Sequence, residues 1–263
     1  MKPIIYLIFM LLFLSSCDDV IELNLKDPQI KYVIEGMITN QPGICRVKIS
    51  QTKDFNENNQ FNGVSGALVQ VEGNGVTVTL SENTTGIYQT DKINGAPGVT
   101  YRLTVKINNE VFTASSTMPD PVPLLDFTLK PGDYEPTRAT PKIKFKDVAT
   151  ATNYYWFQQY INDVIQPQYK VFSDEFTSGQ EINEYLVFEN RTKDISKDMV
   201  RGDRLTVEMH SIEAPVYTYL SSLFNANGSA DGAAPANPVS NINGGAIGFF
   251  SAHTVERKTI VIP

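Results

Sequence analysis

The sequence predicts an all-β protein of two β-sandwich domains, immunoglobulin-like or fibronectin-like, the second with one short packed α-helix. Three observations predict it. Apolar and polar residues alternate in many short runs, as in Tyr101, Leu103, Val105 and Ile107 against Arg102, Thr104 and Lys106. A period of two with one apolar face marks a half-buried strand. Glycine and asparagine turns punctuate the runs, such as Gly73-Asn74-Gly75 and Asn108-Asn109, and both residue types tolerate the positive φ that tight hairpins need. Met118-Pro119-Asp120-Pro121-Val122-Pro123 then divides the strands into two groups, because clustered prolines cannot sit inside a sheet and form a stiff connector.

In chain order, Met1-Lys2-Pro3 is a short positive end, and Ile4 to Leu14 carries no charge. That run is too short to span a bilayer, which takes about 20 residues, but it fits the apolar core of a signal peptide. Leu14-Ser15-Ser16-Cys17 follows and reads as a lipobox. Residues 1–16 are therefore expected to be a lipoprotein signal peptide, with Cys17 the lipidated residue and 17–29 a tether. Each buried CH₂ of an acyl chain contributes roughly 0.8 kcal/mol of membrane affinity, so more than one chain makes the anchor durable.

Residues 30–119 form the first expected domain. Strands are predicted over 31–38, 44–50, 67–72, 76–80, 101–107 and 111–116, with a short one starting at 85–88. Cys45 alternates with Val47 and Ile49 and reads as a small core residue. The polar loop 51–63 encloses Phe55 and Phe61, candidate ligand-binding side chains, since loops vary while a sandwich stays fixed. Asp54, Asn56, Glu57 and Asn58 lie in the same loop but lack the calcium-loop pattern.

After the connector 120–124, the second domain is expected over 125–263. Strands are predicted at 125–129, 142–146, 153–161, 185–188 and 205–209, and two final ones at 246–250 and 255–262. Residues 166–184 read as mixed and acidic. Tyr154-Tyr155-Trp156-Phe157 places aromatics on both faces of one strand. Burial on both sides explains this, and so does a binding platform built on Tyr154 and Trp156; both stay open. A helix near 213–225 is predicted from Val216, Tyr219, Leu220, Leu223 and Phe224, with Ser211 as its cap and Pro215 in its first turn. The span 228–245 is poor in apolar mass and reads as a loop.

Composition narrows the function. Removing Lys2 with the signal leaves 21 basic against 29 acidic residues, a formal charge of about −8. Without a basic block, nucleic acid is a poor partner. Cys45 has no intrachain partner once Cys17 is lipidated, so no disulfide framework is expected. His210 and His253 lie in no zinc-type spacing, and His210 reads as a surface strand residue. No Gly-x-Ser-x-Gly elbow or phosphate loop occurs. Acid pairs such as Asp174/Glu175 or Glu181/Glu184 can be imagined, but spacing across a cleft is not written in sequence. No metal, cofactor or catalytic residue is expected.

A series of segments carries a resemblance. It runs through Cys17-Asp18-Asp19, Tyr32-Val33-Ile34-Glu35-Gly36-Met37-Ile38-Thr39, Gly86-Ile87-Tyr88 and Gly95-Ala96-Pro97-Gly98-Val99-Thr100-Tyr101. It ends with Phe112 to Pro119, Asn237-Pro238-Val239 and Gly244 to Ala252. Together these resemble DUF4249, a Bacteroidota family of outer-membrane lipoproteins with a domain of unknown function. The resemblance implies an accessory lipoprotein beside a TonB-dependent outer-membrane receptor and carries no catalytic residues. The expectation is a non-enzymatic cell-envelope lipoprotein, a ligand-binding or accessory module in nutrient uptake that takes a glycan or peptide. It would be lipid-anchored at the outer membrane, with surface and periplasmic faces both open. A carbohydrate-active hydrolase using two carboxylates and a structural or adhesive envelope protein are the alternatives.

Overall fold

Alternation becomes pleat along most of the chain. The computed structural model describes residues 30–53, 61–130, 140–149, 152–186, 199–228 and 237–263. The first group of strands is β1 (Tyr32–Thr39), β2 (Cys45–Gln51), β3 (Leu68–Gly73), β4 (Val76–Thr79), β5 (Ser81–Thr84), β6 (Ile87–Thr90), β7 (Thr100–Ile107) and β8 (Glu110–Thr117). The second is β9 (Leu124–Lys130), β10 (Thr140–Lys146), β11 (Tyr154–Ile161), β12 (Val164–Ser173), β13 (Glu181–Tyr185), β14 (Arg204–Ile212) and β15 (Ile247–Val261). Helix α1 (Ala214–Gly228) lies between the last two. The protein is all-β with one helix, in three sheets.

An eight-stranded sheet, β12-β11-β14-β15-β1-β2-β6-β5, runs through the whole molecule. A four-stranded sheet, β4-β3-β7-β8, faces one arm of it across a core of Ile34, Val47, Leu103, Phe112 and Phe250. A three-stranded sheet, β13-β10-β9, faces the other arm across Phe145, Tyr155, Phe157, Val207 and Met209. Helix α1 covers part of the opposite face, where Val216, Tyr219 and Leu220 meet Ile212 and Phe249.

One strand joins the two arms. The first half of β15 pairs in parallel with β1, from Val33 opposite Ile247 to Thr39 opposite His253. Its second half pairs antiparallel with β14, from Ser211 opposite Thr254 to Arg204 opposite Val261. The sequence predicted two strands here, because Ser251, His253 and Thr254 interrupt the apolar pattern. They form one strand because Gly248 to Val255 are buried on both faces. Gly248 is required: its φ is +126°, and a Cβ there would lie 1.9 Å from the Ile34 carbonyl oxygen.

Other differences have local causes. Strand β12 takes up the first part of the stretch read as mixed, with Pro167 on an edge strand where a missing N–H is tolerated. The pairing shifts register there, and the Gln158 side-chain amide donates to the Gln166 carbonyl at 2.6 Å. Strand β13 starts earlier than the predicted 185–188 and meets it at Tyr185, 187–188 lying outside the described residues, and β5 was not foreseen. Ser211 does not cap the helix; it is buried within β14, and Glu213 is the residue before the first turn. Phe224, expected on the packed helix face, is largely exposed. Glu213 ties that corner to the first core: its carboxylate accepts from Ser116 Oγ at 2.6 Å and Thr117 N at 2.9 Å. Ser116 Oγ in turn accepts from Ala252 N at 2.9 Å.

Candidate functional site

Strand alternation sends every second residue of the long sheet away from the two cores. On that face β11 carries Trp156 and Tyr160, β14 carries Glu208 and His210, β15 carries Ser251, His253 and Arg257, β1 carries Met37, and β2 carries Arg46. Register sets Trp156 opposite His210 and Glu208 opposite Arg257. Strands β2 and β11 stand four places apart in the sheet, about 19 Å if it were flat. Within that span the Trp156 and His253 rings, on strands two places apart, close to 5.9 Å. The sheet therefore curls around this face, as accumulated twist favours.

Glu208 is buried, and both its oxygens are engaged. Arg257 Nε donates to Oε1 at 2.9 Å, and a second guanidinium nitrogen pairs with the same oxygen. Tyr160 OH donates to Oε2 at 2.8 Å. His210 Nε2 lies at ion-pair distance, 3.4 Å from Oε2. Burial alone would raise the Glu208 carboxyl; His210, Arg257 and Tyr160 together outweigh it and hold it at about 2. Glu208 is thus an ionised anchor with its lone pairs committed, not a proton donor.

Around it three rings stack. Trp156 lies on His210 with centroids 4.4 Å apart and planes 21° apart. His253 meets both edge-on, at 5.9 Å from Trp156 and 4.9 Å from His210. His210 is only 6% exposed and His253 fully buried. The surface position expected for His210 is corrected: the curl and the Trp156 indole enclose its ring. Burial, then the neighbouring His210 charge, hold His253 well below the usual imidazole range. His253 Nδ1 lies 2.9 Å from Ser251 Oγ. Besides His210 Nε2, which faces Glu208, four buried nitrogens on this face have no hydrogen-bond partner: Arg46 Nε, Trp156 Nε1, His210 Nδ1 and His253 Nε2. Buried polar groups are normally satisfied, so this concentration marks the face.

The sequence-predicted residues scatter. Cys17 and Phe55 lie outside the described residues, as do Asp54, Asn56, Glu57 and Asn58. Phe61 is 53% exposed, far in sequence from the ring stack. Tyr154 is half-buried with its ring 5.0 Å from Tyr217 of α1, beside the helix rather than at the stack. Trp156, half-buried, lies at the stack; Tyr154, two residues before it on β11, shares its face on the side toward α1. Arg46, Glu208, His210, His253 and Arg257 were missed. Alternation pointed Arg46, Glu208 and His210 outward, but only the fold shows that outward is enclosed.

The imagined acid pairs do not form. Glu181 and Glu184 lie on opposite faces of β13 and are bound to Lys144 and Lys170. Asp174 is buried beside Asp147, not paired with the exposed Glu175. Burial raises Asp174, and Asp147 adds to the rise. Hydrogen bonds from Asp174, Tyr155 and Gly179 outweigh burial for Asp147 and hold it low. Asn153 closes over Asp174 through its backbone N–H at 2.7 Å and its amide at 3.0 Å, so this pair fastens two loops. Cys45 is fully buried, and burial pushes its thiol up to about 12. Among the described residues no group of three His, Cys, Asp or Glu could hold a metal ion, and no helix is long and apolar enough to cross a membrane.

Comparison with known proteins adds the family. Among solved structures, the chain is similar to a candidate carbohydrate-binding protein from Bacteroides uniformis, at 11% identity and a TM-score of 0.27, over 88% of this chain and 98% of that one. It is also similar to a 1.5-MDa bacterial ice-binding adhesin, at 11% identity and a TM-score of 0.20, over 89% of this chain and 64% of that one. No curated protein matches by sequence. The profile of the domain of unknown function DUF4249 matches residues 18–259, nearly the whole chain, and the protein belongs to that family.

Proposed function

We propose that this protein is a non-enzymatic lipoprotein of the cell envelope that binds a ligand on the curled face beside Trp156. The observation that carries the reading is the set of buried, unpartnered nitrogens gathered there. A ligand supplying hydrogen bonds to them would recover the desolvation cost of each, about 1–3 kcal/mol. The committed lone pairs of Glu208 favour binding over acid–base hydrolysis at this face. In this reading residues 1–16 are a signal peptide, Cys17 bears lipid at the outer membrane, and 17–29 tether the module on the cell surface. Residues 30–119 and 125–263 are two immunoglobulin-like or fibronectin-like sandwiches about the connector 120–124, fused through β15. A TonB-dependent receptor is the partner to which the ligand passes, and Phe61 lies on the exposed surface available to it.

Affinity capture from native membranes, with the bound proteins identified, tests the partner. Thermal shift across a panel of glycans and peptides tests the ligand. Recovery of a receptor, or a ligand-dependent rise in Tm lost in Trp156→Ala, supports the reading. Neither a receptor nor any ligand-dependent shift would sink it.

A further inference from the structure

We infer that Asp147 and Asp174 are joined by one proton held between them, and that its loss to solvent releases the turn 174–180, which carries Phe176. The pair lies beside Tyr155, which points into the second core, on the other side of the long sheet from the Trp156 stack. The inference stands apart from the ligand reading of that stack.

The donor inventory carries the argument. Asp147 is 3% exposed and Asp174 0%. Tyr155 OH donates to Asp147 Oδ1 at 2.5 Å, and Gly179 N donates to Oδ2 at 2.8 Å. Asn153 serves Asp174, its backbone N–H at Oδ1 and its amide at Oδ2. Each of the four carboxyl oxygens thus has a donor from the chain. The two carboxyl groups are hydrogen-bonded to each other as well. Carboxylate oxygens only accept, so that bond needs a proton on one of them. Two like charges so placed do not both ionise, and they titrate as a pair.

The surrounding charges leave this role to a proton. Among the described residues no lysine or arginine pairs with either carboxylate: Lys144 is bound to Glu181 and Lys170 to Glu184. Lys146 and Glu175 are exposed. Burial raises the Tyr155 hydroxyl, so it stays a donor. Burial, then the bond to Asp147, raises Asp174, which makes Asp174 the acid and Asp147 the ionised acceptor.

Backbone bonds close the turn around the pair. Asp147 N donates to Gln180 O at 3.0 Å, Thr177 N to Asp174 O at 2.7 Å, and Gln180 N to Thr177 O at 3.0 Å. Phe176 within the turn is 88% exposed. Deprotonation leaves two buried anions face to face, and swinging the turn outward lets water reach them. Folded Asp174 lies above its unfolded value of 3.8. The stability it contributes is therefore complete below pH 3.8 and is lost as pH rises through the folded value. His253, held low, acts in the opposite sense.

Hydrogen exchange tests this in the full chain in detergent, from pH 4 to pH 8, beside Asp174→Asn. Peptides covering 174–180 are read by mass spectrometry and corrected for intrinsic exchange rates. The asparagine amide can donate to Asp147 as the protonated acid does, but it cannot titrate. Protection of the turn should fall several-fold with rising pH in the unmodified chain and stay level in the variant. Taking the ratio of the two chains cancels the His253 contribution. A ratio that does not change with pH would overturn the inference. So would calcium restoring protection at pH 8 in the unmodified chain alone, which would assign a cation in place of the proton. If circular dichroism shows that Asp174→Asn does not fold, the carboxyl carbon-13 resonance of Asp174 decides. A midpoint above those of exposed aspartates supports the shared proton, and one at or below them overturns it.

Discussion

His253 makes stability depend on pH in a calculable way. It is fully buried, and burial holds it well below its unfolded value of 6.5. A group depressed in this direction contributes full stability above pH 6.5 and loses it as pH falls toward the folded value, because only the unfolded chain takes up the proton. Each pH unit inside that window costs about 1.4 kcal/mol. Between pH 7 and pH 5 the loss works out at about 2 kcal/mol, if the folded imidazole stays neutral throughout. Glu208, held at about 2 against 4.5 unfolded, loses its contribution at lower pH, so the window belongs mainly to the histidine. Urea unfolding followed by circular dichroism at pH 7, 6 and 5 should show this slope. His253→Gln, which keeps a side-chain partner for Ser251 but cannot titrate, should flatten it by about that amount. An unchanged slope in the variant, or a His253 proton resonance titrating near 6.5 in the folded protein, would refute the reasoning.

Further outcomes follow from other contacts. Gly248→Ala should destabilise by at least ~3 kcal/mol, since the new Cβ would overlap the Ile34 carbonyl at a φ of +126°; a drop in urea midpoint below that size would show that β15 can shift. Glu213→Ala strips acceptors from Ser116 and Thr117 and should cost about 2–4 kcal/mol. Its effect should be non-additive with Ser116→Ala in a double-mutant cycle, and simple additivity would count against the tie. Native Cys45 should resist iodoacetamide at pH 8, because its thiol is buried and raised to about 12, and should react on unfolding. Denatured protein taken from membranes should then yield one reactive thiol of the two cysteines; two would exclude lipid on Cys17.

Much of the fold was legible because it is local. Tyr101 to Ile107 alternates cleanly and is β7; Gly73-Asn74-Gly75 makes the β3–β4 turn, with Asn74 at a φ of 52°. The strand β15 was not legible, since Ser251, Ala252, His253 and Thr254 look like a break when only one buried face is assumed. Strand β12 was hidden by Pro167 and its polar neighbours. The curled face was beyond the sequence for a different reason. It depends on rings from β11, β14 and β15 converging, which nothing local to His210 or His253 encodes, whereas Trp156 drew notice simply as the sole indole.

The sharing of β15 bears on how the molecule is made. Asn40 bonds Val255 across 215 residues, and β1 gains its parallel neighbour only when those late residues have been synthesised. Until then the early strands carry an open edge, a hazard for pairing with other chains, and non-local pairing of this kind is slow. A polypeptide exported across a membrane would therefore emerge unfinished at its amino end and complete both halves together. Clipping the terminal strand should cost the whole molecule its cooperative unfolding, not merely its last segment.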